Sequence, residues 1–445
     1  MKKNLSRKAG IYCGIAVGLI LVCLGLILGI IIDSRLKEND NSEVVDNYLS
    51  DNDNGTNDAN KVDETNKIDE INEINEIIKD IVSYVNGSKD AEVVYFHTEA
   101  QNNAIIQGKD KLLTYAYGTY ELSRPEGITI SWKALPTLEN DGELVSYTLK
   151  FAIINQGKKD AADTINQDKN DAVNTINLEN SEFVSVDFGK EESSYTFYNQ
   201  KLGERYSYEV IANYSNGKSV STGNKEFLID NIAPRNLYVD GVTNVRDIGG
   251  WVTDSGDKVN QGLVIRGGRL NDDKKEKVSV TEDGINTLVS VFGIKTELDL
   301  RQDEIRTESA LGVNVNYINI PMPGTVTTQL RKHDEDIKKI IEVFADESNY
   351  PIYLHCSIGT DRTGLVTFLI NGLLGVSEED LYFDYAFSNF GKIGSMRDYK
   401  EIQDKYVKVI KGIEGNSLQE KIENYLLEIG ITKDEIATIK KIMLK

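Results

Sequence analysis

Cysteine and histidine are scarce in this chain of 445 residues, which contains three of each. Cys13 and Cys23 lie in an apolar N-terminal segment, so Cys356 is the only thiol in the rest of the chain. A framework of intrachain disulfides is therefore excluded there. Because His97 and His333 have no neighbours at metal-ligand spacing, the sequence predicts no metal site, and it predicts no cofactor.

Positive charge is also in short supply. Lys and Arg total 50 against 71 Asp and Glu, which gives a formal net charge of -21. This excess argues against nucleic acid or an anionic membrane surface as the main partner, because both carry dense negative charge. Much of the excess lies in residues 33–90, so it says little about the other segments. The length is sufficient for two or three domains.

The N-terminus combines a basic tail with an apolar run. Residues 1–8 carry the basic side chains Lys2, Lys3, Arg7 and Lys8. Residues 9–32 are uncharged and long enough to cross a bilayer as a helix. We expect an uncleaved single-pass anchor in the cell membrane, because no small-x-small cleavage pattern follows; a cleaved signal peptide is the alternative. The tail would be cytoplasmic and the C-terminal domains extracytoplasmic, which protease treatment of intact cells would test.

Residues 33–90 are predicted to form an acidic spacer with a short helix. The Asp- and Asn-rich residues 51–58 cannot bury a core. Isoleucines at helical spacing then form an apolar stripe, at Ile68, Ile71, Ile74, Ile78 and Ile81. The stripe predicts weak self-association through residues 68–85 as a short coiled coil. A helix that caps the next domain, or a stalk, is the alternative.

Residues 91–232 have the alternating pattern of β-strands. Apolar and polar side chains alternate over residues 128–132 and 145–151, and residues 206–212 lead into a turn. The polar residues 158–182 look like an insertion. Trp132 on an early strand resembles the buried tryptophan of fibronectin type III modules, as residues 202–206 resemble their tyrosine corner. The resemblance implies a β-sandwich that serves as a spacer or binding module.

The most specific motif is a ten-residue run that begins at His355. Cys356 and Arg362 are separated by five residues, enough to wrap a loop around one phosphate so that amides and a guanidinium face it. Residues 351–354 predict a short buried strand, and residues 363–374 predict an apolar helix. A helix N-terminus attracts anions and lowers the pKa of a nearby thiol. A buried structural cysteine at a strand end is the alternative.

Residues 233–445 alternate strands with helices. This pattern predicts an α/β domain with a largely parallel central sheet flanked by helices. Asp299 and Arg301 follow one strand, and Cys356 follows another. Because sites in such sheets lie at the carboxyl ends of the strands, we expect these residues to meet.

This segment resembles bacterial tyrosine phosphatases of the cysteine-dependent superfamily, in the branch with Asp inside the phosphate loop. The resemblance rests on four motifs: Asn244-x-Arg246-Asp247-x-Gly249-Gly250, Asp299-Leu300-Arg301, His355-Cys356-x5-Arg362-Thr363-Gly364 and Asp384-Tyr385-x-x-Ser388-Asn389. It implies a phosphomonoester hydrolase, a protein-tyrosine phosphatase first of all, that acts on a phosphorylated protein or a small phosphomonoester.

The resemblance also implies roles for individual residues. Cys356 would form a phosphocysteine, Arg362 would bind the phosphate oxygens, and Asp361 would act as general acid and then as base. The remaining loop residues would bind the substrate phosphate: Ser357, Ile358, Gly359, Thr360 and Thr363, which would also donate to the sulfur. A further set would support the loop: His355, Arg246, Asp247, Asp299 and Arg301. For Arg246, Asp247 and Asp299, a buried salt bridge between strands is the alternative.

One departure from the family bears on specificity. Many relatives active on phosphoinositides carry Ala-Gly-Lys-Asp in the loop, where this chain has Ile358-Gly359-Thr360-Asp361. Thr360 lacks the cation that would meet extra phosphates, while phosphotyrosine chemistry is unaffected. An inositol-phosphate or phosphoinositide phosphatase remains an alternative. A surface adhesion protein that only binds phosphorylated ligands is another, and the intact Cys356, Asp361 and Arg362 argue against it.

Overall fold

A computed structural model describes residues 81–116, 123–134, 142–154, 164–166, 183–271, 280–302 and 307–445. The expected basic tail, transmembrane anchor and Asp/Asn-rich spacer lie outside these residues, as does the isoleucine stripe up to Ile78. Within the described ranges, no helix is both long and apolar enough to cross a membrane.

The N-terminal part of the described chain consists mainly of strands. In chain order its elements are β1 (Val82–Val85), β2 (Val93–Val94), α1 (Glu99–Gln107), α2 (Lys109–Tyr115), β3 (Ile128–Lys133), β4 (Leu144–Ile153), β5 (Thr164–Asn166), β6 (Phe183–Gly189), β7 (Ser194–Phe197), β8 (Arg205–Tyr214), β9 (Ser219–Ser221) and β10 (Lys225–Ile229). One sheet has the order β1-β3-β7. The other has the order β2-β10-β8-β4-β6-β5, and β9 pairs with β8. We call residues 81–232 the β module.

The two sheets pack face to face through aromatic side chains. Trp132 on β3 lies 5.6 Å from Tyr147 on β4 and 5.1 Å from Phe188 on β6, measured between ring centroids. Phe197 on β7 lies 5.1 Å from Phe151 on β4. The alternation seen in the sequence therefore places one face of each sheet in a shared core, as predicted for residues 128–132 and 145–151.

The start of the β module differs from the sequence prediction. The sequence pattern places Ile81 in a helical stripe and residues 82–85 in the spacer, but Ile81 is buried and Val82–Val85 form β1, paired antiparallel with β3. Ser83 and Val85 face the core, which is the two-residue period of a strand. The acidic spacer therefore ends before residue 81, and residues 81–85 are not free to join a coiled coil.

Two helices in the β module were also not predicted. The first, α1, begins at a capping box in which the Thr98 hydroxyl accepts from the Gln101 amide and the Gln101 side chain accepts from the Thr98 amide. This Thr-x-x-Gln spacing is a recognisable start signal. Of the predicted insertion at residues 158–182, the structure describes only β5, which pairs in parallel with β6.

The C-terminal part is the predicted α/β domain. Its elements are β11 (Arg246–Asp247), β12 (Val264–Gly267), α3 (Glu282–Asn286), β13 (Thr296–Asp299), β14 (Asn316–Asn319), α4 (Asp334–Phe344), β15 (Ile352–His355), α5 (Asp361–Leu374), α6 (Glu378–Phe387), α7 (Tyr399–Gln403), α8 (Tyr406–Lys411), α9 (Leu418–Glu428) and α10 (Lys433–Met443). The sheet order is β11-β12-β15-β13-β14, and only β11 runs antiparallel to its neighbour. The prediction of a largely parallel sheet is confirmed.

The middle strand of this sheet leads directly into the most buried helix. All four residues of β15 are buried, and so are Thr363–Leu374 of α5. Such strands and helices read as continuous apolar runs because they have no solvent face. The loop between β15 and α5 therefore lies at the carboxyl edge of the sheet and at a helix N-terminus, where the sequence predicted an anion site.

Candidate active site

Five residues, 356–360, connect β15 to α5 and form a tight loop. Cys356 lies at its base and is 1% exposed, whereas Ser357 and Ile358 are half-buried. Gly359 has a φ of +69°, and a Cβ there would lie 2.3 Å from the Gly267 carbonyl oxygen of β12. Only glycine fits this position, because the conformation is left-handed and the neighbouring backbone leaves no room for a side chain.

The loop lowers the pKa of the Cys356 thiol. Burial alone would raise it, but this effect is outweighed by the positive charge of Arg362, by the Thr363 hydroxyl and by the amides of Thr363 and Ile358, all of which favour the thiolate. The Thr363 hydroxyl is buried and bonds no nitrogen or oxygen of the described residues, so it is available to stabilise the thiolate. The loop therefore favours the thiolate form of Cys356.

We expect iodoacetamide to alkylate Cys356 with a rate that reaches half its maximum below pH 8.5, the usual thiol midpoint, because the thiolate is the reactive form. Mass spectrometry of the Cys356 peptide would follow the reaction without interference from Cys13 and Cys23. Thr363→Val, which keeps the shape but removes the hydroxyl, should move the midpoint upward. A midpoint at or above the usual value in the native chain would contradict the assignment.

The Arg362 guanidinium is held at the mouth of the loop. One terminal nitrogen donates to the carbonyl oxygens of Leu300, at 3.0 Å, and Met322, at 3.1 Å. The other donates to the Ser357 hydroxyl at 2.8 Å. These bonds fix the plane of the guanidinium, which can then meet a phosphate with two parallel donors.

Asp361, the first residue of α5, is bound from two sides. The Tyr385 hydroxyl donates to its Oδ1 at 3.1 Å, and Arg397 donates to Oδ1 at 3.1 Å and to Oδ2 at 3.2 Å. Its side chain remains 32% exposed. The Asp361 hydrogen bonds raise the pKa of Arg397, and burial followed by the Asp361 charge raises that of Tyr385. The carboxyl is thus oriented but still reachable from solvent.

Two buried arginines and one carboxylate support the loop from behind. Arg246 donates to both side-chain oxygens of Asp384, at 2.8 and 3.4 Å, and to the Ser388 hydroxyl at 3.1 Å. Arg266 donates to Asp384 Oδ2 at 2.5 Å and to the Gly359 carbonyl at 2.8 Å. Burial would raise the pKa of Asp384, but the two guanidinium groups lower it. The cluster carries a surplus positive charge directly behind the loop.

Asn244 connects this cluster to the loop. It has a φ of +59°, a conformation that asparagine tolerates better than most residues. Its amide nitrogen donates to the Ile358 carbonyl at 3.0 Å and to Thr360 Oγ1 at 3.3 Å, and its oxygen accepts from Arg246 at 2.6 Å. The Thr360 side chain is therefore buried against Asn244. Residue 360 can therefore offer a ligand its backbone amide but not its hydroxyl.

His355 lies between two carboxylates beneath the loop. Its Nε2 bonds Glu297 Oε1 at 3.0 Å, and its Nδ1 lies 3.8 Å from Asp299 Oδ1. Burial would lower the pKa of His355, but Asp299 and Glu297 raise it, and both carboxyl pKa values are lowered despite burial. The Arg301 guanidinium also binds Asp299, at 2.7 to 3.0 Å. This buried charge network supports the end of β15.

Glu297, Asp299 and His355 have the composition of a metal site, and their ligand atoms lie within 4.8 Å of one another. Their oxygens, however, are already bonded within the protein. Glu297 Oε2 accepts from the Ser309 hydroxyl and the Ala310 amide, and Asp299 is bound by Arg301. The donor set therefore fits a hydrogen-bonded network better than a cation.

Comparison with known proteins agrees with this geometry. Residues 237–445 match the tyrosine phosphatase family. A tyrosine-protein phosphatase of Nostoc commune is 24% identical over 145 residues, which cover 27% of this chain and 49% of that protein. A dual specificity protein phosphatase of Variola virus is 27% identical over 122 residues, which cover 27% of this chain and 64% of that protein. The chain thus spans less than two thirds of either relative.

One solved structure is also similar to the chain. The core catalytic domain of the PP-IP phosphatase SIW14 from S. cerevisiae, in complex with citrate, is 21% identical, with a TM-score of 0.25, and the match covers 34% of this chain and 89% of that one. The family match and the named relatives confirm the predicted similarity of the C-terminal segment to tyrosine phosphatases.

We call residues 233–445 the phosphatase segment, after their family match. Most of its predicted site residues lie at the loop, but Asp247 does not. Its carboxylate accepts from Arg235 at 2.8 Å and from the amides of Gly249 and Gly262 at 2.8 and 2.6 Å. None of these partners belongs to the loop. The bond to Arg235 is a buried salt bridge, the alternative left open for this residue, and it lies where the phosphatase segment meets the β module.

Several contributors to the site were not predicted as site residues. Asn244, Asp384 and Tyr385 belong to motifs on which the family resemblance rests. The sequence therefore pointed to them but did not assign them a role. Arg266 and Arg397 carried no such signal, because a lone arginine on an apolar strand or in a polar loop does not reveal a partner more than 30 positions away.

Proposed function

We propose that this chain hydrolyses phosphate monoesters through a covalent phosphocysteine and that phosphotyrosine in proteins is its preferred substrate. The observation that carries the proposal is the position of Cys356. Its thiol lies at the base of a loop in which Arg362 and the amides of Thr363 and Ile358 lower its pKa, and Arg362 is bonded to the loop at Ser357. A phosphate seated there would present its phosphorus to the sulfur.

The geometry supports a distinct role for each group. Cys356 would attack phosphorus while the loop amides and Arg362 stabilise the charge on the equatorial oxygens. Asp361, partly exposed beside the loop, would protonate the leaving oxygen and then activate the water that hydrolyses the phosphocysteine. Thr363 would stabilise the departing thiolate in the second step, because its buried hydroxyl has no nitrogen or oxygen partner among the described residues and lowers the pKa of Cys356. The position of Asp361 between Cys356 and Arg362 in the motif supports assignment to the branch of the superfamily that carries Asp there.

The buried side chain of Thr360 favours phosphotyrosine over an inositol polyphosphate. Residue 360 supplies no cation, and its hydroxyl bonds Asn244 rather than facing the mouth of the loop. Extra phosphates on a ligand would thus find no charge from this position. An adhesion protein that only binds phosphorylated ligands needs neither a lowered thiol pKa nor an oriented Asp361. These two features therefore favour an enzyme.

For the N-terminal parts, we propose a fibronectin type III-like module attached to a membrane anchor at residues 9–32, with the folded parts outside the cytoplasm. Packing of Trp132 between the two sheets supports the first part of this proposal. The basic tail before the apolar run supports the second.

The decisive experiment is a substrate panel on the full chain. We expect kcat/KM to be at least tenfold higher for a phosphotyrosine peptide than for a phosphoserine peptide, a soluble phosphoinositide or phytate. We also expect EDTA to have no effect, because no step requires a metal. Cys356→Ser serves as the matched control for contaminating phosphatases. Preferred turnover of phytate or the phosphoinositide, or a loss in EDTA that a metal restores, would contradict the proposal.

A further inference from the structure

The β module and the phosphatase segment lie in one compact unit, which spans residues 79–445. The sequence predicted the β module to be a spacer or a binding module, and such a module would touch its neighbour only lightly. The contacts between the two parts are instead directional, and they are partly or fully buried. We call the set of contacts described below the junction.

Two side-chain amides clamp the junction from opposite directions. Asn199 of the β module donates to the Tyr238 carbonyl at 2.9 Å and accepts from the Tyr238 amide at 2.7 Å. Gln261 of the phosphatase segment donates to the Leu202 carbonyl at 3.0 Å and accepts from the Leu202 amide at 2.8 Å. Each amide satisfies one backbone donor and one backbone acceptor of the other part, as a paired strand would.

A buried ion pair extends this junction to the edge of the sheet that carries the site. Arg235 donates to the carbonyls of Gln200 and Asn199 in the β module, and also to Asp247 at 2.8 Å. The side chains of Arg235 and Asp247 are 3% and 0% exposed. Asp247 is a residue of β11, and the other residue of that strand is Arg246, which binds Asp384 behind the phosphate loop.

A second route runs through α6. Helix α2 of the β module packs against α6, and the His97 ring lies edge-on to Phe387 at the end of α6, 6.3 Å between centroids. Burial lowers the pKa of His97 to about 4, so the ring is neutral at physiological pH and its Nε2–H donates to the Pro234 carbonyl at 2.9 Å. The same helix carries Asp384, which binds Arg266 behind the loop, and Tyr385, which donates to Asp361.

We propose that the β module is a positioning part of the phosphatase site. It would hold β11 through Asp247 and α6 through Phe387, so that the buried charge cluster and Tyr385 keep the phosphate loop and Asp361 in their working geometry. No residue of the β module needs to touch substrate for this role. Loosening the junction should therefore lower kcat, whereas KM for a small phosphomonoester should change little.

The test uses isosteric changes in the full chain. Asn199→Asp and Gln261→Glu each keep the acceptor oxygen but replace the donor with a charged oxygen that faces a carbonyl, which leaves a buried polar group unpaired. We expect each to lower kcat for 4-nitrophenyl phosphate about fivefold or more with KM unchanged. Arg205→Met, which removes an exposed ion pair with Glu226 in the β module, is the matched control and should keep full activity.

Hydrogen exchange supplies a readout that does not depend on activity. In the Asn199→Asp and Gln261→Glu variants, amides of residues 378–388 should exchange faster than in the native chain, together with those of residues 198–202. Faster exchange confined to residues 198–202, with kcat unchanged, would overturn the proposal.

Arg235→Met is the stronger perturbation of the junction. It would be used if both variants left the exchange at residues 198–202 unchanged. Unchanged exchange at residues 378–388 in Arg235→Met would also reject the proposal. A chain inactive on every phosphomonoester would refute the proposed function, while the exchange result would still decide the positioning role.

Discussion

Cys356→Ser should abolish turnover while the chain still binds phosphate esters. A serine hydroxyl is not ionised at neutral pH, so neither Arg362 nor the Thr363 hydroxyl can convert it into a comparable nucleophile. Removing the nucleophile of a covalent mechanism costs on the order of 10⁴-fold or more in kcat. The loop amides and Arg362 are untouched by the substitution, so binding energy for the phosphate remains. The measurements are kcat on 4-nitrophenyl phosphate and calorimetric titration with a phosphotyrosine peptide.

Ser357→Ala is the matched control for this substitution. It changes the neighbouring loop residue, keeps the backbone amide and removes only the hydroxyl that accepts from Arg362 at 2.8 Å. We expect it to lower kcat/KM by roughly 5- to 150-fold, well below the loss in Cys356→Ser, because one hydrogen bond that orients a charged group is worth about 1–3 kcal/mol. If Cys356→Ser retained activity within tenfold of the native chain, Cys356 would not be the nucleophile.

The phosphate loop was predictable because its parts are contiguous in the chain. Strand, loop and helix follow one another from residue 352 to residue 374. The apolar pattern, the spacing between Cys356 and Arg362 and the sequence motif therefore all describe the same local structure. Gly359 illustrates the limit of that information. The motif marks it as a loop glycine, but the reason for glycine is the carbonyl of Gly267 on a neighbouring strand, which the local sequence does not contain.

The groups behind the loop could not be predicted in the same way, because their partners are distant in sequence. Arg266 is 118 positions from Asp384 and 93 positions from Gly359. A fully buried arginine is improbable on composition alone, so an arginine in a four-residue apolar strand suggests exposure unless a carboxylate partner is known. The strand β1 was missed for a related reason, since its pairing with β3 spans a long stretch of chain.

Asp361→Asn should slow turnover of substrates with poor leaving groups far more than turnover of activated aryl phosphates. A tyrosyl or alkoxide oxygen leaves more readily when a carboxylic acid supplies a proton, an effect typically worth roughly 100- to 10,000-fold. A nitrophenolate leaves without that help, so the penalty should shrink for 4-nitrophenyl phosphate. Asparagine keeps an oxygen for Tyr385 and Arg397, so the start of α5 should keep its geometry.

Asp247→Asn and Asp299→Asn are the controls that separate acid catalysis from structural support. Asp247 bonds Arg235, Gly249 and Gly262, and Asp299 is buried against Arg301 and near His355, so neither carboxyl faces the mouth of the loop. Their substitution should affect good and poor leaving groups to the same degree, through a displaced loop or junction. An equal loss on both substrate types in Asp361→Asn would remove Asp361 from the acid role. If the loss in Asp247→Asn or Asp299→Asn were instead much larger for poor than for good leaving groups, that residue would be the general acid.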